Sequence, residues 1–427
     1  AGVLFSAGSR VDTGGLVAST LNIANDDFMA GRFTFERDPA NAASVVNRGT
    51  LSAPGSTVAL MAATVVNEGT VQADGGTVGL VSARKVSLDF KGDGLTTFRF
   101  DPAAKADAAF VGNAVEGVLQ ANGGRVAVLA DSSQVAQLVV NQQGTVRARS
   151  ISERNGEIIL GGAPSSDVRV AGTLDVRGEG AGASGGTITV QAGGIRATGA
   201  VMDASGPAGC GQVELSAGRA VTLDAATRLH ADALARGDGG RIQVDAGDGG
   251  LHVAGRLSAD AAEGDGGRIA TSAAVVEVGA AQVSASGGRA GRNGSWRVAS
   301  QADVTIGTAP AGRPASEVSA ADFSQVSAEA LGEALGKGTD VTVAATGFPL
   351  NGRGESGNVV FEENAAVVKR SGGESTLRVD AMRDIDMGPR SRIESQAGAL
   401  NVSFNADSSG TAKLRSPVGS SVVEEER

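Results

Sequence analysis

Short β-branched runs in which apolar and polar residues alternate, separated by Gly, Asn, Asp or Pro, fill most of the chain. This is the period-two signature of strands with turn punctuation. The pattern also repeats. A shift of 20 residues carries Val45-Val46-Asn47 onto Val65-Val66-Asn67, Gly49-Thr50-Leu51 onto Gly69-Thr70-Val71, and Thr57-Val58-Ala59-Leu60 onto Thr77-Val78-Gly79-Leu80. Further on, a Gly-rich turn leads into an alternating strand at Gly186-Thr187-Ile188-Thr189-Val190, Gly240-Arg241-Ile242-Gln243-Val244 and Gly267-Arg268-Ile269. Related copies start at Gln212 and Gly294. With positions 186, 212, 240, 267 and 294 as anchors, the spacings are 26, 28, 27 and 27.

A unit of this size cannot bury its apolar face alone, but stacked units pair each strand with its successor around a continuous narrow core. The pattern therefore predicts an all-β, right-handed parallel β-helix of about 14 coils and about 65 Å at the inter-strand spacing. Small side chains suit a core in which equivalent positions lie about 4.8 Å apart. Corner glycines supply backbone angles closed to other residues, and Asn47 and Asn67 read as corner residues. One helix is expected from Ala320 to Leu335, with Ser319 as its cap, Asp322 three residues on, Phe323, Val326, Ala330, Leu331 and Ala334 on one face, and Gly336 as its stop. The expected organisation is a first β-helical region over 1–165, coils of about 27 residues over 166–306, a linker with the helix over 307–338 containing Pro310 and Pro314, and further coils with a frayed tail over 339–427. Strands resume at Asp340–Ala344, Gly357–Phe361, Thr376–Val379 and Leu400–Phe404.

Composition narrows the function classes. Of 427 residues 64 are Gly, about twice the usual share, yet without a G-X-Y period, which excludes collagen. There are 12 Phe, one Trp and no Tyr, so the core is built from small side chains. The net charge of −10 repels phosphate backbones and anionic lipid, arguing against nucleic-acid binding, and no apolar run is long enough to span a bilayer. Cys210 is the sole cysteine, which excludes an intrachain disulfide and multi-cysteine zinc sites. The start at Ala1 reads as a processed end or as an internal piece of a longer polypeptide.

Certain stretches are recognisable. Gly2-Val3-Leu4-Phe5, Arg10-Val11-Asp12, Gly14-Gly15-Leu16-Val17-Ala18-Ser19-Thr20-Leu21, Phe28, Gly31 and Phe33-Thr34-Phe35, continuing through Asn67–Val71 and Gly75–Leu80 to Val86–Phe90 and Gly92–Leu95, resemble the secretion domain of two-partner-secreted exoproteins, the filamentous-haemagglutinin-like family. Gly338–Val343 and Leu400–Asp407 look like segments that follow that domain in large exoproteins linked to adhesion or haem utilisation. The family's Asn-Pro-Asn-Gly motif would end at Gly2, but Ala1 stands where its last Asn is expected, so Gly2 and Val3 are a remnant. The resemblance implies export through a dedicated outer-membrane β-barrel transporter with periplasmic docking domains, and residence outside or on a Gram-negative cell. Vectorial export suits a rod of mainly local contacts.

Candidate chemistry is sparse. Gly182-Ala183-Ser184-Gly185-Gly186 matches G-x-S-x-G, but a strand follows where a nucleophile elbow needs a helix, so it reads as a coil corner. A 28-residue offset aligns His230 with Ser258 and His252 with Asp224, so the two histidines do not stack and read as solvent-facing. The Gly-Asp clusters at 237–240, 247–250 and 264–267 lack the nine-residue recurrence of calcium-binding rolls and read as tight corners. No carboxylate cluster is evident across neighbouring coils, with Asp89 and Asp93 the nearest approach. Arg236-Gly237-Asp238 is an integrin-type tripeptide on an expected loop. No catalytic, metal or cofactor residue is assigned. The expected function is a non-catalytic exported adhesin or binding stalk meeting a host-cell receptor, glycan or haem carrier. The alternatives are a haem-capturing exoprotein, a β-helical polysaccharide lyase or hydrolase, and a toxin-delivery rod.

Overall fold

The computed structural model describes residues 2–90, 95–100, 109–132, 137–151, 154–309, 323–347 and 356–407. These form a parallel β-helix. On one face, each strand pairs in parallel with the strand one coil away, so that a single apolar column runs from Leu16 through Val58, Val78, Val126, Ile158, Ile188, Val213, Ile242, Ile269, Trp296, Val341 and Leu377 to Val402. Its twelve steps give a rod of about 58 Å. A second face carries the column Leu51, Val71, Leu119, Val146, Leu174, Met202, Leu229, Leu257 and Val283. These side chains, mostly Val, Leu and Ile, are almost entirely excluded from solvent along the middle of the rod.

The 20-residue repeat is exact in register, Val45 on Val65 and Thr57 on Thr77. The later anchors need one adjustment, because Gln212 pairs with Thr187 and with Arg241, so the equivalent of Gly186 is Gly211 and the first two spacings are 25 and 29. The expected corner asparagines do stand at corners and bond locally, Asn47 Oδ1 accepting the Gly49 amide at 3.1 Å and Asn67 Nδ2 donating to the Gly69 carbonyl at 3.0 Å, and they are also buried. Asn47, Asn67 and Asn113 form a buried ladder in which each Nδ2 donates onward, 2.8 Å from Asn47 to Asn67 Oδ1 and 2.8 Å from Asn67 to Asn113 Oδ1. The ladder ends with Asn113 Nδ2 on the Gly117 carbonyl at 3.2 Å.

Two features of the fold lie outside the sequence expectation. The first is a lateral antiparallel sheet of Asn22–Ile23, Phe33–Glu36, Lys85–Phe90 and Thr96–Phe100, near a short helix α1, Asn25–Met29. Phe33, Phe35, Phe98 and Phe100 cluster there with Met61, Val81 and Leu88, so much of the chain's aromatic content packs beside the solenoid rather than within it.

The second lies near residue 325. The segment expected to be helical from Ala320 begins, within the described residues, as the strand Ser324–Ser327, and the helix α2 spans Ala328–Gly336. Val326 is wholly buried as a strand position while Phe323 is largely exposed, so the presumed helical stripe mixed two periodicities. The cap is Ser327, whose Oγ accepts from the Ala330 amide at 3.2 Å. Ser319, Asp322, Pro310 and Pro314 lie outside the described residues. The later strands are found at Thr339–Ala345, Val359–Phe361, Ser375–Ala381 and Leu400–Asn405.

Candidate functional site

Stacked corners produce a polar groove of about 630 Å³ along the middle of the rod. Its floor is glycine because the coils approach too closely for any side chain. A Cβ on Gly240, Gly267 or Gly294 would sit 2.2 Å from the carbonyl oxygen of the glycine one coil earlier. One wall is a register column, Gln212, Arg241, Arg268, Ser295 and Asp340, each about 4.8 Å from the next. The Arg241 guanidinium donates to Gln243 Oε1 at 2.6 Å, whereas the exposed guanidinium of Arg268 makes no hydrogen bond or ion pair among the described residues.

The opposite wall carries Asp238, Asp265 and Arg292. Asp238 Oδ1 accepts the Asp265 amide and Asp265 Oδ1 the Arg292 amide, both at 2.8 Å, and Arg292 Nε lies 3.3 Å from Asp265 Oδ2. Carboxylates therefore do recur from coil to coil, contrary to the sequence reading. A second row confirms the pattern, with Asp232 Oδ1 accepting the Asp260 amide at 2.8 Å and Asp260 Oδ1 the Ser286 amide at 2.6 Å. In both rows the acids cap main-chain N–H groups of the next coil, which hold one oxygen of each in place.

The tripeptide Arg236-Gly237-Asp238 sits on the corner beside this groove. Gly237 has φ +108°, Arg236 Nε is 3.6 Å from Glu263 Oε2, and Asp238 is the groove residue already described. Gly182–Gly186 is a corner running into the strand Thr187–Ala197. Asp89 pairs with Arg99 at 3.4 Å on the lateral sheet, and Asp93 lies outside the described residues. Gly2 precedes the first strand, Val3–Phe5, and Val3 pairs with Val45, while Ala1 lies outside the described residues.

The histidines differ from expectation. His230 does pair with Ser258. His252, however, pairs with Thr222 on one side and Glu277 on the other, not with Asp224. The offset changes because four corner residues, 224–227, in one coil are matched by two, 254–255, in the next. Nor does His252 face solvent, since it is buried with Nδ1 3.4 Å from the Oε2 of the buried Glu277. Among the described residues no group of three His, Cys, Asp and Glu side chains converges as a metal set would.

The most heavily charged coil contact is Asp175, bridged by Arg149 at 2.7 Å and Arg177 at 3.0 Å. Burial pushes its carboxyl up, but the hydrogen bonds from Arg177 and Arg149 outweigh it and hold the group below the ordinary aspartate value. Asp232 is likewise held low: burial opposes, and the bonds from His230, Ser258 and the Asp260 amide prevail. A depressed folded value gives stability that is complete above the ordinary carboxylate range and is lost as pH falls through the folded value. Denaturation of the purified chain is therefore expected to show a flat midpoint near neutrality and a fall on the acid side. Asp175→Asn should lower the neutral plateau and reduce that fall, and an unchanged acid limb in the variant would contradict the assignment.

No protein-family model and no curated protein matches this sequence. Among solved structures, the chain is similar to the HMW1 secretion domain from Haemophilus influenzae, with a TM-score of 0.55 and 25% identity over 66% of this chain and 76% of that one. No helix among the described residues is long and apolar enough to cross a membrane. The parallel solenoid and this likeness support the two-partner secretion exoprotein family for the chain, without singling out its filamentous-haemagglutinin branch.

Proposed function

We propose that the chain is a non-catalytic segment of a secreted exoprotein, exported from a Gram-negative cell by an outer-membrane β-barrel transporter with periplasmic docking domains, and that it acts outside as an adhesin-type binding rod. The observation that carries this reading is the likeness to the HMW1 secretion domain. Its residues 1–165 would be the secretion-type part, with Gly2 and Val3 as the remnant of the transporter-read motif, and the rest the stalk. The test is secretion of the full-length gene product in strains with and without the transporter. Release into the medium should require the transporter, and equal release without it would overturn the reading.

The contact surface in this reading is the glycine-floored groove together with the Arg236-Gly237-Asp238 corner. Arg241 and Arg268 project donors one coil step apart, and the Arg268 guanidinium has no internal partner among the described residues. Guanidinium forks at a fixed interval suit carboxylates on a linear glycan. The groove's carboxylates hold the backbone of the next coil, which favours binding over catalysis there. Saturable binding to an anionic glycan panel is expected, weakened about tenfold or more, roughly 1.4 kcal/mol, by Arg241→Ala with Arg268→Ala. Equal binding by this double variant would remove the groove from the proposal.

A further inference from the structure

The coils do not stack in chain order everywhere. On the face that carries Val275–Val278, the next strand in space is Ser324–Ser327, and only then comes Val304–Gly307, followed by Val359–Phe361. The later segment has slipped beneath the earlier one. On the neighbouring face the order is regular, Arg268–Ala273, Gly294–Ser300, Thr339–Ala345 and Ser375–Ala381.

Helix α2 follows directly on the slipped strand. It lies between the strands Gln282–Ser284 and Ala366–Lys369 of the third face, touching both, with Ala328, Ala330, Leu331, Ala334 and Leu335 buried. A helix is about 10–12 Å across, which matches two inter-strand spacings of about 4.8 Å. The helix stands opposite two strands of the Val275–Val278 face, Ser324–Ser327 and Val304–Gly307, whereas the regular face has one strand, Gly294–Ser300, between Arg268–Ala273 and Thr339–Ala345. The fit is close, because a Cβ on Gly332 would lie 2.4 Å from the Val368 carbonyl oxygen. The slipped strand is fastened from below and beside, with Ser324 Oγ 2.7 Å from Ser300 Oγ and 2.9 Å from the Val276 amide.

Elsewhere each strand of the main stack finds the edge of the preceding coil waiting for it, so growth can proceed one coil at a time. Val304–Gly307 does not, because its lower neighbour is made of residues 324–327, which come later in the chain. We infer that Val304–Gly307, Ser324–Ser327 and α2 form a single closing unit, so that stepwise growth of the rod halts after Ser300 and resumes only when residues as far as Gly336 are free to fold. During export from the amino end, this is a built-in pause at which some 36 residues must clear the channel together. The pause in transit rests on the proposed export, but the closing unit is a property of the purified chain and fails or stands without it.

Pulse-labelling hydrogen exchange during refolding of the full chain tests it. Protection is expected first in strands up to Gly294–Ser300, then in Val304–Gly307, Ser324–Ser327 and α2 in one later phase. Protection of Val304–Gly307 in the earlier phase, with 324–336 still open, would overturn the inference. Ser324→Ala, a mild change, provides the second reading in native-state exchange. It should speed exchange of all three segments by the same factor while leaving Arg241–Asp245 unchanged, whereas loss confined to 324–327 would refute a shared unit. Gly332→Val should extend the same joint loss further.

Discussion

Trp296→Ala is expected to cost about 3–5 kcal/mol of stability, the range for deleting a fully buried large aromatic. Trp296 is the only tryptophan in the chain and is entirely buried, stacked between Ile269 and Val341. Its Nε1 donates to Thr271 Oγ1 at 3.2 Å. Thr271 occupies a position that in adjacent coils is Val244 and Val298, so the polar atom in the column is there to meet the indole. Alanine would leave a cavity and take away the indole donor, the Thr271 hydroxyl keeping only its own bond to the Arg297 carbonyl at 3.3 Å. Because a stacked array opens in local units, the measurement is native-state hydrogen exchange. Protection should fall most in Arg268–Ala273 and Thr339–Ala345, with the amino-proximal coils little changed. A loss under 1 kcal/mol would mean that the column repacks.

Asn67→Ala is expected to cost about 3 kcal/mol, from the unmaking of two buried hydrogen bonds on either side of one residue. The substitution removes the acceptor for Asn47 and the donor for Asn113, both at 2.8 Å and all three residues buried. Asn67→Asp tests the direction of the ladder. A carboxylate can still accept from Asn47 but cannot donate to Asn113, so this variant should be least stable near neutrality and recover part of its stability as acid protonates it. Thermal denaturation at two pH values distinguishes the cases, and an Asp variant as stable as wild type at neutral pH would contradict the donor assignment.

The stacked fold was legible because a solenoid writes its register into the sequence. Val45 over Val65 and Arg241 over Arg268 are both repeats in the chain and neighbours in space. What escaped the pattern is what breaks periodicity. The lateral sheet pairs Phe33–Glu36 with Lys85–Phe90 across about 50 residues without repeating them. The helix was foreseen, but its start was misplaced because Phe323 and Val326 lie at helical spacing while belonging to a loop edge and a strand. The groove was half visible. Its glycine turns and Asp238 were singled out, but the role of the carboxylates as caps on the next coil depends on which atoms face each other across a layer. His252 shows the same limit, since a change of two residues in a corner moved its neighbour from Asp224 to Thr222.

The lateral sheet also separates gene length from reach. Thr57 to Thr77 is one layer in 20 residues, and Thr77 to Arg125 is again one layer, in 48. Lys85–Phe90 and Thr96–Phe100, part of that surplus, lie outboard, and the residues from Arg125 return to the same angular phase around the axis. Side branches of very different size can thus be grafted between layers without rotating whatever lies distal to them, which makes the spacing of surface features along such a shaft a matter of layer number alone.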